Sequence, residues 1–320
     1  MSDHFIKNIE IKNFKCFKDF KAEGFGRVNL IGGKNNVGKT AFMEACFLSS
    51  LDIKSKEFIN RSIIIELHRN SLDFLLLWFS DFTKFTLKYK NKKIYLNQEK
   101  LDELKHIKYS RPWINSPQNN SSFSEYLASF YKEGLPPLIS NVSFISVGNN
   151  FNNYLVNFID EIKLADKEDN LNIALNDFFS IEKIDVIKNK VMLKKDKKFL
   201  LLSEFGDGVK HLLNIILALY LNKNSILYLD EIENGIHYTN LDKLWEIILS
   251  ISKEQNVQVF ATTHSKECIE SYARVAKKLE DEEITFFKLG KNDEGKLKGM
   301  VYPYDWFIDS IEQEEEVRGW

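Results

Sequence analysis

Eight residues, Gly33-Lys34-Asn35-Asn36-Val37-Gly38-Lys39-Thr40, have the types and spacing to hold a polyphosphate. They read G-x-x-x-x-G-K-[ST], in which a glycine-rich turn aims several backbone N–H groups at one point. Residues 28–31 (VNLI) before the turn are apolar and of strand length, and residues 40–51 after it read as a helix. The positive end of that helix dipole falls on the same point, which suits a nucleotide's phosphates. Gly33, Asn35, Asn36, Val37 and Gly38 are the expected lining of the phosphates. Lys39 is expected to reach the β- and γ-phosphates, and Thr40 to offer its hydroxyl to Mg2+.

A complementary acidic pair follows nearly two hundred positions later. Residues 225–229 (SILYL) form an apolar run of strand length that ends in Asp230-Glu231. In an open α/β sheet the carboxyl ends of the strands face the ligand. Asp230 is therefore the candidate for Mg2+, directly or through water, and Glu231 for orienting or deprotonating an attacking water. Residues 257–262 (VQVFAT) make a second strand of the same kind and run into Thr263-His264-Ser265. His264 at that edge can reach the γ-phosphate, whereas Ser265 suits capping of the next turn. A third segment, residues 202–208 (LSEFGDG), precedes an apolar helix at 209–221. Ser203, Gly206 and Gly208 would give a second anion-binding helix entry. One chain has one set of phosphates, so this entry is expected to read another subunit's nucleotide.

The positioning elements follow from hydrophobic periodicity. Residues 5–14 alternate as a half-buried strand, 17–22 as another, and 28–31 as a third, so the phosphate loop emerges from a mixed sheet. Residues 55–79 read mostly helical, and 82–96 alternate around Lys90-Asn91-Lys92 as a hairpin. Residues 110–124 are rich in Pro, Ser and Asn and read as a surface loop or hinge. Beyond it, 142–145 is an apolar strand, 151–165 and 171–179 are amphipathic helices, and 181–188, 190–193 and 199–202 are short strands. The lysines at 188, 190, 194, 195, 197 and 198 make a basic patch, which reads as a solvated hairpin tip before it reads as a nucleic-acid contact. Residues 238–254 supply the helical crossover between the two acidic-edge strands.

Bulk properties set limits. The chain has 320 residues, 44% of them hydrophobic, which is enough for a large core. A formal net charge of -2 gives no electrostatic case for nucleic acid. Cys16, Cys46 and Cys268 are odd in number and far apart, so they read as buried, reduced thiols, not as a zinc site or a disulfide framework. No apolar run reaches the roughly 20 residues that cross a bilayer, and the polar start lacks a signal-peptide core, so a cytoplasmic protein without a membrane partner is expected.

Taken in order, phosphate loop, S-x-x-G-x-G turn, strand-Asp-Glu and strand-Thr-Thr-His resemble the ABC-type ATPase head of the SMC, RecF and OLD proteins. Residues 230–238 (DEIENGIHY), 257–264 (VQVFATTH) and 9–17 (IEIKNFKCF) are most similar to the small OLD/RecF-like ATP-binding proteins, and 304–318 also resemble them. The resemblance implies an α/β phosphate-loop NTPase of ABC-head type: a mixed sheet with flanking helices. Residues 1–50 and 141–320 would form the head and 51–140 an inserted α+β subdomain. It also implies ATP and Mg2+ as cofactors and a homodimer or higher homo-oligomer sandwiching two ATP molecules. Lys39, Thr40, Asp230, Glu231 and His264 would come from one subunit, and Ser203, Gly206 and Gly208 from the other. The SEFGDG segment departs from LSGGQ, and with the lack of Pro after Asp230-Glu231 this argues against a transporter subunit. The chain ends too soon after His264 for a nuclease domain, so a separate effector, a nuclease or toxin in phage defence, is the expected partner. The alternative is a RecF-type repair or recombination clamp that binds DNA in an ATP-dependent way.

Overall fold

The computed structural model describes residues 4–50, 84–89, 92–97, 142–145, 152–221, 223–292 and 294–313. Strands β1 (Asn8–Phe14), β2 (Phe17–Glu23) and β3 (Val28–Gly32) lead into helix α1 (Lys39–Ser50). Then come β4 (Lys84–Tyr89), β5 (Lys92–Asn97) and β6 (Val142–Ile145), followed by α2 (Asn152–Leu164) and α3 (Glu168–Phe179). A three-stranded unit of β7 (Lys183–Ile187), β8 (Lys190–Lys195) and β9 (Lys198–Leu201) precedes α4 (Asp207–Leu221). The remainder is β10 (Ile226–Leu229), α5 (Leu241–Glu254), β11 (Gln258–Thr262), α6 (Lys266–Lys278), β12 (Ile284–Lys291), β13 (Leu297–Pro303) and α7 (Tyr304–Glu312). The helical stretch expected at 55–79 and the linker expected at 110–124 lie outside the described residues.

The main sheet has the order β13-β12-β3-β11-β10-β6, all parallel except the antiparallel edge strand β13. Its strands sort their side chains between two cores with period two. Ile226 and Tyr228 of β10 face the same side as Phe260 of β11 and Phe287 of β12, against Phe25, Phe42 and Phe47. Leu227 and Leu229 face the other side with Val259, Ala261 and Phe286, against Trp245, Ile248 and Tyr272 from the helices. Burial on both faces explains why these strands read as unbroken apolar runs. The first face is roofed by a second sheet, β2-β1-β4-β5, antiparallel throughout. The hairpin expected at 82–96 is thus present as β4–β5, and its backbone pairs with β1, with Leu87 opposite Ile11.

Buried polar groups clamp the sheet at its other end. Arg27 is bonded to Asp281 and Ser252, and its Nη1 donates to Leu249 O at 3.2 Å. Its Nε also donates to Glu283 at 3.2 Å, so one guanidinium joins β3 to α5 and to the α6–β12 connection. Asp281 is 4% exposed, so Arg27→Ala leaves a buried carboxylate uncompensated. We expect a loss of about 3–5 kcal/mol, seen as a melting temperature lower by on the order of 10 °C. The double variant Arg27→Ala/Asp281→Ala should recover part of that loss; a single-variant loss below about 1 kcal/mol would remove this clamp.

Two sequence expectations are corrected here. Cys46 and Cys268 are buried, and burial pushes both thiols far up, but Cys16 is exposed, because the β1–β2 turn that carries it lies over the phosphate loop and not in the core. The lysine cluster is not one patch. The pairings Ile187 with Lys190 and Lys195 with Lys198 put Lys188 and Lys190 at one end of β8 and Lys195, Lys197 and Lys198 at the other. Six residues of strand separate the ends by roughly 17–20 Å, and Lys194 is paired with Glu182 at 3.0 Å.

Candidate active site

Strands β3, β10 and β11 run parallel and therefore end at one rim, where the loop of residues 33–38, Asp230 and Thr263-His264 all emerge. Val37 anchors the loop from below, its side chain buried in the aromatic core, while Asn35 and Asn36 stay exposed. Gly38 has φ +104°, and a Cβ there would lie 2.7 Å from Cys16 Sγ, so both backbone and space require glycine. The Lys15–Glu44 ion pair fastens the same β1–β2 turn to α1.

The Lys39 ammonium folds back on its own loop and donates to Gly33 O at 2.8 Å and Lys34 O at 3.1 Å. Burial pulls this amine below the ordinary lysine range, and Asp230, Glu233 and Glu231 pull the other way. An ammonium held by neutral carbonyls among three carboxylates is suited to exchange those carbonyls for phosphate oxygens.

Across the rim, Thr40 Oγ1 donates to Asp230 Oδ2 at 3.1 Å. Asp230 Oδ1 accepts from Thr262 Oγ1 at 2.5 Å, and that hydroxyl oxygen accepts from Glu231 N at 2.9 Å. Hydroxyl and carboxylate oxygens are the donors that Mg2+ takes. Among the described residues no group of three or more His, Cys, Asp or Glu could form a metal cage. The pair Thr40 and Asp230 supplies a hydroxyl and a carboxylate that would hold such an ion beside the phosphate loop. Thr262 was named in the sequence only as a strand end. Its role follows from register, since Leu229 pairs with Ala261 and the next residues, Asp230 and Thr262, are left facing each other.

Glu231 has φ 50°, a left-handed conformation uncommon for a non-glycine residue, and its side chain is exposed at the rim. Ile232 N donates to Thr262 O at 3.1 Å, which holds the turn in this shape. Ser265 caps α6 as expected, its Oγ accepting from Cys268 N at 3.1 Å. His264 is 51% exposed in its side chain, and its contacts run to Glu233, a residue the sequence did not single out.

The second helix entry differs from expectation. Ser203 lies in a separate 3-10 turn, Leu202–Glu204, whose shape is set by Glu204 accepting from Leu201 N at 2.8 Å. Helix α4 starts later, at Asp207, directly after Gly206. A Cβ on Gly206 would meet nothing within 4 Å, so packing within the chain does not demand this glycine. Gly208 is buried instead, and a Cβ there would lie 2.0 Å from Gly235 O in the loop after Asp230. Among the described residues no hydrogen bond links Ser203 or Gly206 to Lys39, Thr40 or Asp230; the two regions meet through the Gly208–Gly235 backbone contact.

The chain is similar to solved SMC heads. The "SMC head domain from Thermotoga maritima" aligns with TM-score 0.43 and 16% identity over 93% of this chain and 98% of that one. An SmcHead bound to the C-winged helix domain of ScpA aligns with TM-score 0.49 and 12% identity over 96% and 99%. An "ATP/GTP phosphatase" of Helicobacter pylori is 26% identical over 96% of this chain and 97% of that protein. A family profile described as "AAA domain, putative AbiEii toxin, Type IV TA system" matches residues 94–270, which include Asp230 and His264, while the loop at 33–40 precedes it. More than half of the chain lies inside that match, and the chain belongs to this AAA family.

Proposed function

We propose that this protein binds ATP with Mg2+ at the β3–β10–β11 rim, hydrolyses it, and uses the cycle to join and separate two protomers. The observation that carries the reading is the contact of the Thr40 hydroxyl with the Asp230 carboxylate beside the Lys39 amine. Residues 33–38 and Lys39 bind the phosphates. Thr40 and Asp230 hold Mg2+, which neutralises charge on the phosphates when bound. Glu231 orients and deprotonates the attacking water, and His264 contacts the γ-phosphate. Ser203, Gly206 and the start of α4 face the nucleotide of a second copy, so each site is completed in trans. The name of the Helicobacter pylori relative, an ATP/GTP phosphatase, supports hydrolysis.

The head comprises residues 1–50 and 141–320 together with the β4–β5 hairpin, which pairs with β1, and the remainder of 51–140 is an insert that sets partner specificity. The switch controls a separate effector, a nuclease or toxin in defence against phage. The toxin and type IV system in the family description support that setting. A DNA clamp is the alternative, and the splitting of the lysines between two ends of β8 weakens it. ATP-dependent DNA affinity that falls steeply with salt would favour the clamp.

The test is phosphate release from Mg2+-ATP across a range of protein concentrations. A specific rate that rises with protein concentration and is abolished by a chelator is expected from sites completed in trans. No release at any concentration, or release indifferent to the chelator, overturns the reading.

A further inference from the structure

We infer that Glu233 is the positioning residue of His264, fixing which ring nitrogen carries the proton and where the imidazole points; this rests on the ATPase reading above. Glu233 Oε1 accepts from His264 N at 3.2 Å and lies 3.3 Å from His264 Nδ1. One carboxylate oxygen thus holds both the backbone and the ring of the same residue. With Nδ1–H donating to the carboxylate, Nε2 is the ring nitrogen left over, and it has no partner among the described residues.

The surroundings argue against an incidental surface ion pair. The Glu233 side chain is only 13% exposed, and its second oxygen, Oε2, is buried with no hydrogen-bond partner. A side chain serving packing alone would not keep an acceptor buried without a donor. Lys39 of α1, His211 of α4 and the Cys268 thiol of α6 all sense the Glu233 charge, and the carboxylate lies at the entry of α6, near its positive end. His211 Nε2 donates to Ile232 O at 3.2 Å, which fixes the backbone next to Glu233. A carboxylate behind a histidine sets tautomer and orientation, and its loss is felt in turnover more than in binding.

The test combines turnover with the ring tautomer. In protein labelled with 15N-histidine, in alkaline buffer, the signals missing from His264→Gln identify the His264 ring. The wild type should show the Nδ1–H form and Glu233→Ala the Nε2–H form or a mixture. Turnover of Mg2+-ATP by Glu233→Ala should fall about 10- to 100-fold in kcat, with KM changed by less than about twofold. Glu233→Gln keeps an acceptor carbonyl and should keep the Nδ1–H form and recover most of kcat. An Nε2–H ring in the wild type, or a KM effect without a kcat effect, overturns the assignment. If Glu233→Ala does not fold, the wild-type tautomer and the Gln variant decide. Absence of turnover in the wild type sinks the ATPase reading instead, and the tautomer alone still judges Glu233.

Discussion

Glu231→Gln should bind Mg2+-ATP as tightly as the wild type and hydrolyse it at least about 100-fold more slowly, since a general base contributes on that scale. The substitution is nearly isosteric and spares the backbone N–H that bonds Thr262 Oγ1. The strained turn, φ 50° at Glu231, is therefore retained, and so are the Thr262 and Asp230 contacts beside it. What disappears is one acceptor able to take a proton. If hydrolysis separates the protomers, the variant should accumulate with ATP at about twice the 37.4 kDa chain mass on size-exclusion chromatography. Unchanged turnover would remove Glu231 from its role. Reduced turnover without an ATP-dependent mass shift would keep the base and discard the switch.

Lys39→Ala should fail earlier, at binding. The ammonium's hydrogen bonds lie within the phosphate loop itself, at Gly33 O and Lys34 O. Replacing two neutral acceptors by phosphate oxygens is a charge-assisted gain, worth about 1.5–3 kcal/mol for hydrogen bonds to charged groups. ATP affinity should fall by roughly 10- to 100-fold, measured by titration calorimetry. The variant also leaves Asp230, Glu233 and Glu231 without their shared cation, so the rim repels a triphosphate more strongly. Wild-type affinity in this variant would place the phosphates elsewhere.

The strands that carry the chemistry were legible in the sequence because each is buried on both faces. Residues 225–229 and 257–262 read as continuous apolar runs, and their acidic and histidine ends then fall at one rim once the strands are parallel. What depends on register was not legible. Thr262 looks like any strand-ending threonine until Leu229 is seen opposite Ala261. Glu233 looks like a solvated acid in a polar turn, because nothing local shows the chain reversing at Glu231 and bringing residue 233 back under His264. The lysines at 188–198 are neighbours in sequence, yet two reversals send them to opposite ends of one strand. Residues 284–289, beyond His264, are as apolar as 225–229 and 257–262, and they form β12, which with the edge strand β13 widens the main sheet.

The close approach of Gly208 to Gly235 makes a hinge pin with no slack. One glycine lies in the first turn of α4, and the other closes the turn that follows the acidic pair of the same chain. Neither backbone can shift without dragging its counterpart, because no side chain lies between them to absorb the displacement. If two copies pair as proposed, a shift in the turn after Asp230 and Glu231 would move the start of α4, and with it the contact to the other copy's nucleotide.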